Sequence, residues 1–213
     1  MPSVISEDEK RVQCVKSMGG ELGVLYCDLN DQLVEVLILW EQFEQLFGVN
    51  EETVQVLNSS APSFFGIVQV QFLDAVMLGV SRLTDSPENK SQKNLSIRAI
   101  PPLVSDLNVR RQVNDALKDA LDATKFARDH RNKRIAHSDL LHVQRGSAKP
   151  LPPASRTKIK AALDSICAVL ETLNGHYRQS EFAYDTLIYG GGAERVVALL
   201  RDGLKHQDSE LEY

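Results

Sequence analysis

The feature that most constrains the fold is an unbroken apolar stripe between Glu21 and Phe47. Apolar residues recur there at steps of three and four: Leu22, Leu25, Leu29, Leu33, Val36, Trp40, Phe43 and Phe47. Side chains three and four apart lie on one face of an α-helix, so this period predicts one long amphipathic helix. Gly48 follows directly, as expected at a helix end. Such a helix must bury its stripe against other elements of the fold.

Helical patterns separated by Gly, Pro and polar breaks continue through the rest of the chain. They predict further helices at about 6–17, 51–57, 63–83, 105–137, 158–177 and 193–204. The only plausible strand, 185–189, has no obvious partner. We therefore predict an all-α fold, a helical bundle of about five to seven helices. The expected organisation is an N-terminal helix (1–20), a bundle (21–180), and a C-terminal loop and helix (181–213) packed on the same domain.

The helix at 63–83 is apolar on most sides, which predicts a central position. Asp74 and Arg82 lie inside it, and buried polar groups need partners, so we expect both to meet other side chains. The helix at 105–137 carries a stripe of small residues that permits close approach of another helix: Ala116, Ala120, Ala123 and Ala127. We expect this stripe to pack beside the helix at 63–83.

Composition bounds the location of the protein and its partners. The formal net charge of −5 argues against a general nucleic-acid or membrane binder. The first residues lack the basic-then-apolar pattern of a secretory signal, and the apolar run Leu33–Trp40 is too short to span a bilayer. Three widely spaced cysteines, Cys14, Cys27 and Cys167, predict buried thiols, with neither disulfides nor metal-ligand spacing. We expect a cytoplasmic protein with no metal and no membrane partner.

Basic residues are concentrated in one segment. From Val109 to Lys149 there are ten Lys and Arg against five Asp, so this stretch carries +5 in a chain of net −5. A basic segment on an acidic body can bind phosphate. A solvated helix face with internal ion pairs would have the same composition. Composition therefore does not distinguish a phosphate-binding segment from a solvated face.

The residues with the clearest chemistry lie in that segment. Arg131 and His137 are six apart, which places them about 120° apart around a helix, within convergence of long side chains. Histidine moves protons near neutral pH, and arginine grips a phosphate and stabilises charge growing on it. Asn132 could orient either group. This spacing is common on helices, so by itself it does not establish catalysis.

The string RNKRIAHSDL, residues 131–140, resembles the Arg-x(4–6)-His signature of the HEPN superfamily. It is most similar to the abortive-infection U-type branch, found in phage-resistance systems. Upstream, Arg82-Leu83-Thr84-Asp85 and, after a polar loop, Asn94-Leu95-Ser96 resemble a second motif of that branch. The long helix ending at Leu46-Phe47 also fits, so the resemblance covers roughly residues 20 to 145.

This resemblance implies a helical bundle that dimerises and brings two Arg/His motifs into one cleft. Active members are metal-independent endoribonucleases without a cofactor, in which the ribose 2′-OH attacks the adjacent phosphate. Arg131 and His137 would then be the catalytic pair, with Asn132 at the polar position after the arginine. RNA would contact Arg128, Lys133 and Arg134. The expected supporting residues are Asp74, Arg82, Asp85, His130 and Asp139. Expected partners are RNA, a second copy of the chain, and an antitoxin or defence-system protein.

Two other interpretations stay open. The chain could be a catalytically inactive HEPN scaffold that binds RNA, a nucleotide or a protein. It could also be a helical interaction domain in which Arg131 and His137 form buried ion pairs with Asp74 or Asp85. A buried Arg131–Asp85 pair would favour the interaction domain, and a solvent-open cleft between two chains would favour the nuclease.

Overall fold

The computed structural model describes residues 6–89, 92–132, 154–179, 184 and 191–211. These residues are almost entirely helical, which confirms the predicted all-α fold. The α-helices of the described ranges are α1 (Glu7–Met18), α2 (Gly20–Phe47), α3 (Glu51–Ser60), α4 (Pro62–Leu83), α5 (Leu107–Ala123), α6 (Lys125–His130), α7 (Arg156–Arg178) and α8 (Ala193–Leu211). The described part has no sheet beyond a two-stranded antiparallel hairpin, β1 (Glu88–Asn89) and β2 (Gln92–Lys93). The predicted strand at 185–189 lies outside the described residues.

Local sequence explains where these helices begin. Ser6 caps α1 in a reciprocal box: its hydroxyl accepts from the Glu9 amide, and the Glu9 carboxylate accepts from the Ser6 amide. Asn50 accepts from the Thr53 amide ahead of α3. Asp106 accepts from the amides of Asn108 and Val109 ahead of α5. Short polar side chains thus satisfy N–H groups that lack a partner in the first turn of each helix.

The helix predicted at 105–137 breaks at Thr124, so that its described part forms two helices, α5 and α6. The Thr124 hydroxyl donates to the Ala120 carbonyl at 2.7 Å, and such back-bonding bends helices. The apolar period runs across the break without interruption, so the sequence pattern alone did not show it. The consequence is that α6 is a separate short helix, which carries Arg128 and His130 and leads directly to Arg131.

The chain divides into two compact units, and the predicted boundaries at 20 and 180 stay a prediction. The first unit contains 1–35 and 77–184; the second contains 36–76 and 185–213. In the first unit, α5 packs extensively against α7. The predicted packing of the alanine stripe beside α4 stays a prediction. The buried face of α7 includes Ile159, Leu163, Ile166, Leu170 and Leu173. Arg128 of α6 instead reaches the end of α4 at Thr84.

The second unit has its own small core. It is formed by Leu46, Leu57, Phe65, Ala193 and Val197, with Phe47, Ala61, Val68, Phe72 and Leu200 packed around it. Two amide side chains of α2 cap the start of α8. Gln42 accepts from the Ala193 amide at 2.7 Å, and Gln45 accepts from the Glu194 amide at 3.1 Å. These bonds replace the partners that the first amides of α8 lack.

Only the second half of α4 has the central position predicted for the whole helix. Val80 and Leu83 are buried, whereas Phe64 is 60% and Ile67 64% exposed. Among the described helices, α4 is also the one that is long and apolar enough to cross a membrane by length and composition. Core helices of proteins that never enter a bilayer pass the same criterion. The prediction from Leu33–Trp40 had overlooked α4.

The three cysteines are buried and unpaired with one another, as predicted. Burial raises the pKa of Cys27 to about 11 and that of Cys167 to about 12. A thiol with so high a pKa is protonated at neutral pH and reacts slowly. The cysteines therefore act as small apolar residues of the core.

Gly23 is required where α1 and α2 meet. A Cβ atom on Gly23 would lie 2.6 Å from both the Cys14 carbonyl oxygen and the Val15 Cα. We predict that Gly23→Ala destabilises the protein by about 2 kcal/mol or more, because the backbone must move apart. Gly175→Ala is the matched control, since nothing lies within 4 Å of its added methyl group in α7. This control should stabilise by about 0.5–1 kcal/mol. Urea unfolding of both variants measures the contrast, and equal stabilities would contradict the predicted close contact.

Candidate functional site

The candidate site is organised by Thr84, which directly follows α4. Thr84 is completely buried, and its hydroxyl donates to the Val80 carbonyl at 2.9 Å. The same oxygen accepts a hydrogen bond from Arg128 Nη1 at 3.0 Å. One buried hydroxyl therefore joins the end of α4 to α6, across 44 positions of sequence.

Arg128 is anchored by further hydrogen bonds. Nη1 also donates to the Thr124 hydroxyl at 3.2 Å, and Nη2 donates to the Leu121 carbonyl at 2.9 Å. Burial lowers the pKa of Arg128 below its ordinary value, and the Asp85 carboxylate opposes that change. These contacts favour a role in bracing the break between α5 and α6. They leave less of the guanidinium for the predicted contact with RNA, which stays a prediction.

Asp85 forms an ion pair with Arg131, in which Arg131 Nη1 donates to Asp85 Oδ2. This contact joins the two residues that the interaction-domain interpretation paired, Arg131 and Asp85. The two side chains are 23% and 24% exposed, so the pair lies at the protein surface rather than in the core. It is neither the buried pair expected of an interaction domain nor a fully solvated one.

Asn132 orients Arg131. Arg131 Nε donates to Asn132 Oδ1 at 3.1 Å, while Nη1 is held by Asp85. Within the described part of the chain, Nη2 has no hydrogen-bond partner. At Arg131 and Asn132 the helical turn widens to a π-turn, a form that recurs at functional sites. Two of the three guanidinium nitrogens are thus fixed by described residues, Nε by Asn132 and Nη1 by Asp85.

The second motif segment closes the loop that carries Asp85. The Asn94 side-chain amide donates to the Ser86 carbonyl at 2.8 Å, and the Asn94 backbone amide donates to the Pro87 carbonyl at 2.8 Å. The Ser96 hydroxyl donates to the Asp85 carbonyl at 2.6 Å. The spacing between the two motif segments therefore has a structural reason: the later one fixes the backbone of the residue that holds Arg131.

The other residues predicted for the site do not all lie at the Asp85–Arg131 pair. His130 ends α6 and is buried, a location compatible with the supporting role predicted for it. Arg82 is exposed, and its carbonyl accepts from the Asp85 amide at 3.3 Å. Asp74 belongs to the second unit. Lys133, Arg134, His137 and Asp139 lie outside the described residues, so their predicted roles stay predictions.

Arg98 is a basic residue of this region that the sequence analysis did not single out. It is exposed in a short 3₁₀ turn, Ile97–Ala99, and its amide donates to the Ser96 hydroxyl at 3.2 Å. Ser96 is the hydroxyl that also bonds Asp85. The available signal was the position of Arg98 two residues after the motif serine.

The local chemistry suits an anion. Arg131 offers directed N–H donors, and the described residues hold no cluster of three His, Cys, Asp or Glu that could bind a metal. Asp85 neutralises part of the positive charge and fixes its direction. A phosphate approaching Nη2 would form charge-assisted hydrogen bonds, which are stronger than neutral ones.

A family model described as AbiU2, of the HEPN group, matches residues 21–196. This match contains both motif segments and the whole of the site described above. Neither the curated proteins nor the solved structures include a match to the chain.

Thr84 provides a test of how the site is braced. Thr84→Val keeps the side-chain shape but removes the acceptor of Arg128 Nη1, so we predict a loss of about 1–2 kcal/mol in the free energy of unfolding. Thr172→Val is the control, because the Thr172 hydroxyl bonds the Ala168 carbonyl of its own helix and no other described residue. That variant should change stability by less than about 0.5 kcal/mol. Chemical denaturation measures both; a Thr84→Val protein as stable as its control would mean that the Arg128 bond contributes little.

Proposed function

Because this chain belongs to the AbiU2 family of HEPN domains, we propose that it is a metal-independent endoribonuclease of a toxin or phage-defence type. The family itself suggests a ribonuclease or defence-related role. The proposal adds the reaction, which is 2′-OH transesterification at an Arg/His site shared across a homodimer. It also places the protein in the cytoplasm, where its RNA substrate and any antitoxin partner would be found.

The observation that carries the proposal is the fixed, partly exposed guanidinium of Arg131. Asp85 and Asn132 hold two of its nitrogens, and its side chain is 23% exposed. A preorganised donor stabilises developing negative charge without reorganising during the reaction. Its neighbours in sequence, Lys133 and Arg134, would attract the RNA backbone.

The proposed reaction needs two proton transfers. A base removes the proton of the ribose 2′-OH, and the resulting oxygen attacks the adjacent phosphorus. The bond from phosphorus to the 5′-oxygen breaks, and an acid protonates that oxygen, leaving a 2′,3′-cyclic phosphate and a 5′-OH. His137 from each of two chains would supply one base and one acid. Arg131 would stabilise the charge on the pentavalent phosphorus.

A catalytically silent HEPN scaffold is the second candidate, and the Asp85–Arg131 pair is the observation that favours it. A carboxylate on the catalytic cation lowers its attraction for phosphate, and ion pairs also serve structure alone. Such a scaffold would bind RNA, a nucleotide or a protein partner without cleaving anything. Catalysis rather than binding therefore separates the two candidates.

We predict that His137→Ala lowers the RNA cleavage rate by about 10² to 10⁴, the usual contribution of a proton-transfer group. Arg131→Ala should have a similar effect, since it removes transition-state stabilisation. Lys133→Ala and Arg134→Ala should mainly raise the RNA concentration needed for half-maximal rate and reduce its salt sensitivity. Cleavage of a fluorogenic RNA, measured with and without EDTA, follows all four variants.

His206→Ala is the matched control for His137→Ala, because His206 is exposed in α8 of the second unit. It should cleave as fast as wild type. Sequencing of the cleaved ends should give 2′,3′-cyclic phosphates. Wild-type rates in a folded His137→Ala protein, or no cleavage of any RNA by wild type, would leave the scaffold.

We also predict a homodimer, because a single motif histidine per chain leaves one proton transfer without a carrier. Light scattering at tens of micromolar should give twice the chain mass of 23.7 kDa. A monomeric protein that still cleaves RNA would show that one chain suffices and would remove the shared site from the proposal.

A further inference from the structure

A single hydroxyl, that of Ser96, connects the backbone of Arg98 to the backbone of Asp85, the partner of Arg131. The Ser96 hydroxyl accepts from the Arg98 amide at 3.2 Å and donates to the Asp85 carbonyl at 2.6 Å. Ser96 itself is completely buried, whereas Arg98 is exposed. The backbone of Arg98 is therefore fixed relative to Asp85, while its side chain is open to solvent.

This position gathers more positive than negative charge. Arg98 and Arg131 both lie close enough to Arg128 to lower its pKa by repulsion, and Asp85 and Asp129 raise it. Among the described residues, three arginines (Arg98, Arg128 and Arg131) therefore lie near two carboxylates (Asp85 and Asp129) in a chain of net charge −5. This local excess of positive charge favours an anionic ligand.

The guanidinium of Arg98 differs from those of Arg128 and Arg131 because no described residue holds it. Arg128 donates to three oxygen atoms, and Arg131 is held by Asp85 and Asn132. Within the described ranges Arg98 makes no ion pair, and only its backbone amide is bonded. A guanidinium on a rigid turn can reach a phosphate at small entropic cost, since the backbone is already ordered.

We propose that Arg98 is a substrate-binding residue that contacts the phosphodiester backbone of single-stranded RNA next to the phosphate held by Arg131. This inference rests on the proposed function for the identity of its ligand. Arg98 adds affinity and positions the strand; it takes no part in proton transfer. The structural alternative is a solvated arginine that contributes nothing to binding.

The test uses a fluorescein-labelled 2′-O-methyl RNA strand on the order of a dozen nucleotides, which has a normal backbone charge but no 2′-OH to attack. Fluorescence anisotropy gives its affinity for the full-length protein between low and moderate salt. Arg98→Ala should weaken binding about three- to tenfold, as for a loss of roughly 1 kcal/mol. The slope of log affinity against log salt should fall by about 0.7, the value for one phosphate contact on a single strand.

Two variants make the result specific. Arg98→Lys keeps the charge and should retain most of the affinity and the slope. Arg195→Ala removes an exposed arginine of the second unit and should bind as wild type does. Thermal unfolding of each variant confirms the fold, which should persist because the bond to Ser96 comes from the Arg98 backbone.

The outcomes separate this inference from the proposed function. Affinity and slope in Arg98→Ala equal to those in Arg195→Ala would overturn the role of Arg98, even if wild type cleaves RNA. A reduced affinity and slope together with no cleavage by wild type would support Arg98 as an RNA contact and overturn the nuclease. Failure of wild type to bind the strand even at low salt would overturn the inference, and cleavage data would then judge the nuclease separately.

Discussion

The geometry of the site depends on the contacts that Thr84 and Asp85 make with Arg128 and Arg131. They join positions 44 and 46 residues apart and hold the short helix α6 against the end of α4. The burial of Phe126 and Ala127 also holds α6, which follows the break at Thr124. A buried hydroxyl fixes Arg128, and a half-buried carboxylate fixes Arg131. The first contact organises structure, and the second leaves part of a cation available to a ligand.

The contacts of Asp85 also explain why the chain contains both the motif that begins at Arg131 and the motif that includes Asp85 and Ser96. Each motif segment alone is a few polar residues of ordinary kind. In the fold, Ser96 bonds the backbone of Asp85, Asp85 bonds Arg131, and Asn132 bonds the opposite side of the same guanidinium. Positioning of one arginine therefore requires residues from three parts of the chain. Such dependence is expected where a donor must be oriented before its ligand arrives.

The helical class of the fold could be predicted from periodicity, and α2 shows why. Its stripe from Leu22 to Phe47 has one period and no competing signal, and local caps such as Ser6 and Asp106 mark helix starts. The break at Thr124 could not be predicted, because the apolar pattern continues through it and the cause is a side-chain hydroxyl. The exposed half of α4 was missed because apolar composition does not show what covers a helix. Resemblance led to Arg131 and Asp85, whereas the anchoring of Arg128 and the location of Arg98 depend on tertiary contacts.

The division of the chain into two units also sets an order for its synthesis. The second unit is built from 36–76 and 185–213, so its core needs Ala193 and Val197 to cover Leu46, Leu57 and Phe65. A ribosome adding about 5 to 20 residues per second needs roughly 5 to 20 s to make the intervening residues 77–184. During that interval the apolar faces of α2, α3 and α4 lack their last covering helix. A nascent chain of this protein therefore keeps this apolar surface uncovered until α8 has been synthesised.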